Sequence, residues 1–197
     1  KFIVSFKKCL FLYLLLTSIA FSARYFIDTE SSKIVWIGRK VSGAHDGVID
    51  INRGYVDMQK QSIIGGEIII DMKSIKVLDM SDKYNKKLEK HLKNSDFFDV
   101  DIYPQASFNI QKKYDIMMDE DTFFKGDLKI KDKTINHSIP AKISVVNDTL
   151  IATGIIDIDR TSFGITYGSG TFFEDLTDRA IDDKFTLKFK IIASLNH

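Results

Sequence analysis

The sequence predicts an all-β fold: an antiparallel barrel of about eight strands, with one amphipathic helix laid over an end or side. Two observations carry that prediction. Apolar and polar residues alternate with period two in segment after segment, as half-buried strands require, most cleanly in "FFKGDLKI" and "KFTLKFKIIAS". The segments follow one another closely, with turn-forming residues between them, which favours hairpins and meanders over crossover units.

The barrel does not begin at the first residue. Lys1, Lys7 and Lys8 precede the apolar run "CLFLYLLLTSIAF", which ends in small residues before Arg24. A basic start, an apolar centre and a small-residue end predict a secretory signal peptide over residues 1–23, cleaved after Ala20, in Ser18-Ile19-Ala20, or after Ala23. A membrane-spanning helix needs about 20 apolar residues, and only the stretch from Cys9 to Ala23 is free of charge, so a retained anchor is the weaker reading. Cys9 lacks the small residue just after it that a lipid-attachment site would want. Cleavage leaves one domain, residues 24–197, in the periplasm with no stable membrane span.

From Lys33 onward the strands come in order: Lys33–Ile37, His45–Ile51 and Gly66–Met72, with turn signals at Ser42-Gly43, Asn52-Arg53-Gly54 and Gly65-Gly66. The period then changes. In "DMSDKYNKKLEKHLKN" Met80, Tyr84, Leu88 and Leu92 recur every fourth position and share one face of a helix over about residues 79–93, with Ser81 or Asp79 as its cap. Lys86, Lys87, Lys90 and Lys93 crowd toward the end where the helix dipole favours cations. Strands resume at Ala106–Ile110, the "FFKGDLKI" run, His137–Val145, Leu150–Ile158 and the final "KFTLKFKIIAS", with turns at Lys131-Asp132-Lys133 and Asn147-Asp148. A second, short helix is placed at Thr171–Thr177.

Charge and composition remove several functions. Loss of the leader takes three lysines and no acid, so 28 basic residues become 25 against 27 acidic ones, a formal charge of −2 that gives no basis for nucleic-acid binding. It also takes the single cysteine, and with it any disulfide, reactive thiol or thiolate metal site. No nucleophile elbow, zinc-binding H-E-x-x-H, phosphate loop or C-x-x-C is present, so no cofactor is called for. The histidines His45, His91, His137 and His197 are scattered, and the acids Asp175, Asp178, Asp182 and Asp183 lack calcium-loop spacing, so no metal site is read.

Two clusters invite chemistry and have plainer explanations. His45 shares a face with Gly47, Ile49 and Ile51, where one hydrogen bond would satisfy a buried imidazole, although contact with a ligand head group stays open. In "DIDRTSFGITYGSG" Arg160 and a nearby carboxylate suit a structural pair at a strand end better than catalysis, with anion recognition the second reading. The inward faces also carry the small residues Ala106, Gly126, Ala141, Ala152, Gly154 and Ala193. Small side chains there leave either an unfilled interior or room for close strand approach and large partners, and periodicity does not choose between the two. In "HLKNSDFFDVDIYPQASFNI" Asp96 and Asp99 keep the segment at the surface while Phe97 and Phe98 turn inward with Leu88 and Leu92 to close part of the barrel, as core or as the mouth of a cavity.

"HLKNSDFFDVDIYPQASF", then "GDLKIKDKTINHSIPAKI" and "IDIDRTSFGITYGSG", resemble in order the segments of YceI-like proteins, and "WIGRKVSGAHDGVIDINRG" and "GGEIIIDMKSI" match that family's opening strands. The resemblance covers nearly the whole mature chain; Asp132 in "KIKDKT" stands where many members have glycine, which touches only a turn. It implies a lipocalin-like, elongated antiparallel barrel, secreted and non-enzymatic, whose apolar interior holds a polyisoprenoid or other long-chain amphiphile. It also tips the small inward residues toward a cavity. With the inward faces it gives a candidate ligand-binding set of His45, Ile49, Phe97, Phe98, Phe108, Leu128, Ala152, Ile156, Arg160, Phe163, Tyr167 and Phe189. Opposed to it stands a packed-core barrel whose outer surface or exposed edge binds another protein of the cell envelope, with an enzyme acting on a lipid-like substrate third.

Overall fold

A computed structural model describes residues 22–111, 114–115 and 121–195, so residues 1–21 of the expected leader and His197 lie outside the described residues. The strands are β1 (Ala23–Ile27), β2 (Lys33–Lys40), β3 (Gly43–Gln59), β4 (Ser62–Val77), β5 (Gln105–Ile110), β6 (Tyr114–Asp115), β7 (Asp121–Ile130), β8 (Lys133–Val146), β9 (Thr149–Asp159) and β10 (Lys184–Ser194). One helix, α1 (Asp82–Lys93), follows β4, and 3-10 turns occupy Arg160–Phe163 and Thr177–Arg179.

The sheet closes on itself. Its ring runs β3-β2-β10-β9-β8-β7-β5-β4, and β4 returns to β3, with antiparallel pairing throughout. Eight positions suffice for ten strands because two positions are shared. β1 pairs with β3 and β10, as β2 does further along, and β6 continues on β4 beyond the end of β5. Closure of this kind removes the sheet edges that would otherwise invite pairing with other chains.

Alternation places the core as expected. Phe124, Gly126, Leu128 and Ile130 of β7 all point in and are buried, while Lys125 and Lys129 are exposed. On β10 the inward row Phe185, Leu187, Phe189, Ile191 and Ala193 ends in a fully buried alanine.

Three local expectations need correction. Asn52-Arg53-Gly54 and Gly65-Gly66 are not turns: both lie inside the long paired strands β3 and β4, which reverse at Lys60-Gln61, where Lys60 has φ 57°. The ladder slips between Ile51 and Arg53 and again between Asp57 and Met58, so the same residues mark β-bulges. A Cβ on Gly54 would lie 2.7 Å from the Glu67 carbonyl oxygen, so glycine there lets the two backbones meet. No helix forms over Thr171–Thr177, where Asp175 adopts a left-handed φ of 60° that interrupts a right-handed run; a 3-10 turn follows at Thr177–Arg179. Finally, α1 starts at Asp82, with Ser81 at the cap position but making no side-chain cap bond. Tyr84, expected on its inner face, is 59% exposed.

Candidate functional site: an apolar cavity beneath the helix

The helix α1 lies against β4, and the β9–β10 connection is held to β2 through the Asp182 N–H and the Arg39 carbonyl at 2.9 Å. Beneath them lies a cavity of about 390 Å³, a size common among small-molecule sites. Its walls are side chains from the inward rows: Ile34 and Trp36 of β2, Ile68 and Ile70 of β4, Phe108 of β5, Ile139 and Ile143 of β8, Leu187 and Phe189 of β10. Polar lining residues gather at the helix end, where Arg39, Lys40, His45, His91, Asp182 and Lys184 surround the mouth.

The helix is the cover. Leu88, His91 and Leu92 line the cavity from above, and although Leu92 packs partly against the core, α1 has no buried residue. Hydrogen bonds tie it down: the Val77 N–H donates to the Glu89 carboxylate at 2.9 Å and the Met80 N–H to the Asn85 side-chain oxygen at 3.1 Å. After α1 the chain turns through Asp99, at φ 50°, and delivers both phenylalanines inward. Phe97 is 5% exposed and sits among His91 at 5.1 Å, Tyr167 at 5.7 Å and the Arg160 guanidinium at 5.7 Å, while Phe98 meets the ring of Phe185 edge-on at 6.3 Å. Both line the cavity. The aspartates flanking this pair hold the backbone at the surface, and the rings close the mouth alongside the helix.

Arg160 is committed to the framework. It is 3% exposed, and its Nε donates to the Asp182 carbonyl at 3.0 Å, Nη1 to the Ile165 and Tyr167 carbonyls at 2.8 and 2.9 Å, and Nη2 to the Ile181 carbonyl at 3.0 Å. The carboxylate of Asp183 stands 3.6 Å from Nη2. Burial pulls the guanidinium below its ordinary pKa, opposed by Asp183, Asp159 and Asp182. One side chain thus fastens both ends of the long β9–β10 connection over the barrel.

The YceI-like domain model matches residues 25–193, close to the full length of the barrel. The chain belongs to the YceI-like family. Solved structures share the fold, three of them as follows. BcnA of Burkholderia cenocepacia is 21% identical, with TM-score 0.67 over 85% of this chain and 99% of that one. A polyisoprenoid-binding domain from Saccharophagus degradans is 11% identical, with TM-score 0.59 over 86% and 97%. The Campylobacter jejuni YceI protein is 20% identical, with TM-score 0.52 over 67% and 72%. No curated protein matches the chain.

In this YceI-like barrel ten of the twelve residues singled out from the sequence line the cavity: His45, Ile49, Phe97, Phe98, Phe108, Leu128, Ala152, Ile156, Arg160 and Phe189. Phe163 and Tyr167 do not. Phe163 is packed in a 3-10 turn at 2% exposure, and Tyr167, 46% exposed, caps His91 at 4.7 Å from outside. His45 is not buried: it sits at the rim with its Nδ1 2.8 Å from the Asp79 carboxylate. His137, on β8, is off the cavity, and burial holds its imidazole below the usual value. Among the described residues no group of three or more His, Cys, Asp or Glu could hold a metal ion.

The small inward residues divide. Ala106, Ala141 and Ala152 line the cavity, but Gly126, Gly154 and Ala193 do not. A Cβ on Gly126 would stand 2.7 Å from the Phe108 ring, and one on Gly154 2.4 Å from the Phe189 ring, so each glycine gives an aromatic ring its place in the wall. Sequence reasoning missed Trp36 and Leu187, although both lie in phase with inward neighbours, and of the polar rim it found His45 but not Arg39, Lys40, His91, Asp182 or Lys184, which no periodicity marks.

Proposed function

We propose that this chain is an exported, non-enzymatic binding protein that holds a long apolar or amphiphilic molecule, a polyisoprenoid such as a quinone or prenyl lipid, inside the barrel. The observation that carries this reading is the apolar cavity reaching from the strand walls to a polar rim under a helix that has no buried residue. Each methylene withdrawn from water contributes about 0.8 kcal/mol, so an extended tail is held well by such walls with one or two polar contacts at the rim. The polyisoprenoid-binding domain of Saccharophagus degradans, which has the same fold, adds support. Export is supported by the basic-apolar-small pattern of residues 1–23, and N-terminal sequencing of the periplasmic form should find a start near Phe21 or Arg24.

Mass spectrometry of an organic extract of the protein purified without detergent tests the ligand. A stoichiometric lipid supports the carrier. Trp36, the only tryptophan of the chain, lines the cavity and reports refilling by a change in its fluorescence. Clean extracts from several hosts, together with an unresponsive Trp36, would favour the barrel that binds proteins on its outer surface.

A further inference from the structure

Resting on the lipid-binding reading, we infer that the outer face of α1 docks the cavity mouth onto an anionic lipid surface, from which the barrel is filled. The helix has two faces with separate uses. Leu88, His91 and Leu92 point into the cavity, and at 100° per residue Lys83, Lys86 and Lys90 fall on the opposite side with Lys87 on its flank, all exposed. None of these four lysines joins an ion pair among the described residues. Two neighbouring acids are drawn away from that face: Glu89 accepts from the Val77 N–H, and Asp79 holds His45. Asp82, in the first turn, stays on the outward side, so four lysines face one acid and the outward face keeps a net positive charge.

Large apolar side chains stand beside it without cover. Leu78, at the entry to α1, is 58% exposed and Tyr84 on its first turn 59%. The Leu78 N–H donates to the Asp46 carbonyl at 3.0 Å, which keeps this strip against the β2–β3 side of the mouth. Lysines around exposed apolar residues complement a bilayer with anionic head groups: the cations meet the phosphates while Leu78 and Tyr84 enter the interface. An acidic protein partner would meet the lysines equally well, but it would not explain why this face is the lid of an apolar cavity, where a lipid must enter.

The remaining charge at this end orients the contact. The β9–β10 connection carries Glu174, Asp175, Asp178 and Asp182, and it is anchored to β2 through the Asp182 N–H and the Arg39 carbonyl at 2.9 Å, whereas α1 lies against β4. An anionic surface repels that connection and attracts the helix. The molecule thus meets the membrane tilted onto α1.

Vesicle co-sedimentation of the protein purified from the cell tests this, with phosphatidylcholine alone against an equal mixture of phosphatidylcholine and phosphatidylglycerol. Binding is expected with the anionic vesicles and should be lost in high salt, where exposed charges are screened. Each lysine near an anionic surface is worth about a five-fold change in affinity, so Lys86→Glu/Lys90→Glu should weaken binding by well over ten-fold. The response of Trp36 to a prenyl alcohol added without vesicles should stay as in the parent. Equal binding to neutral and anionic vesicles, binding that survives salt, or a double variant that binds like the parent would each overturn the docking surface. Vesicle binding without any extracted lipid or Trp36 response would sustain the docking surface and count against the carrier; lipid in the cavity without vesicle binding would do the reverse.

Discussion

Arg160 shows how one residue can look functional in the sequence and turn out to be a fastening. Its donors meet four carbonyls of the β9–β10 connection, so alanine there strands acceptors and frees the loop over the mouth. Breaking a buried charged network of this kind costs about 3–5 kcal/mol. Arg160→Ala should lose stability on that order in urea unfolding, and Arg160→Lys should recover little, because one ammonium cannot span four fixed carbonyls. Asp183 beside it gives a pH signature. Burial alone would raise its pKa, but hydrogen bonds from Ser169 and Thr171 and the charge of Arg160 outweigh that and hold it below its ordinary value of 3.8. A carboxylate depressed in the folded state contributes stability that is complete above the unfolded value and lost as pH falls through the lower folded one. Unfolding midpoints should therefore drop as pH falls below 3.8, and Asp183→Asn should flatten that drop. An unchanged slope in the variant would remove Asp183 from the account.

At the scale of elements, α1 differs from every strand of the ring, since it contributes no buried residue and faces a cavity. Elements with few buried contacts open at low free-energy cost. Amide hydrogen exchange should therefore be faster across Asp82–Lys93 than in β9 or β10 of the emptied protein, and should slow when a long-chain amphiphile restores contact with Leu88 and Leu92. Equal protection of helix and strands in the emptied protein would show that α1 is no lid. The helix was legible in the sequence because Leu88 and Leu92 kept a period-four pattern whether they faced packed atoms or a cavity. For the same reason Tyr84 was misplaced: the pattern extends past the rim, and periodicity does not say where the cavity stops. Asn52-Arg53-Gly54 and Gly65-Gly66 misled for another reason, since residues that permit a turn also permit a bulge and a close backbone approach. Inward rows could be read along each strand, and ten cavity residues with them. The rim could not, because Arg39, Asp182 and Lys184 meet only through the pairing of β2 with β10 and the packing of the long connection.

The whole molecule is a closed ring around a cavity, and two neighbouring inward alanines differ in whether they line it. Ala193 is 0% exposed, opposite Leu150 and Ile27, and lies off the cavity; Ala152, opposite Ile143 and Ile191, lines it. Sequence periodicity treats them alike. Packing does not. A phenylalanine at 193 must displace close-packed atoms and should cost at least the 1–3 kcal/mol typical of an overfilled core. At position 152 the ring can extend into free space, so Ala152→Phe should stay within about 1 kcal/mol of the emptied parent protein, a smaller loss than overpacking gives. The ligand then separates the two further. A molecule that binds only the folded barrel stabilises it by about 2.7 kcal/mol at a hundred times its dissociation constant, so a loaded parent should melt above an extracted one. Ala152→Phe should lose that gain, because its ring takes the place of the tail, while Ala193→Phe should keep it on a lowered baseline. If instead Ala152→Phe proved as destabilising as Ala193→Phe, and extraction left the melting temperature of the parent unchanged, the interior would be a packed core and the carrier reading would fall.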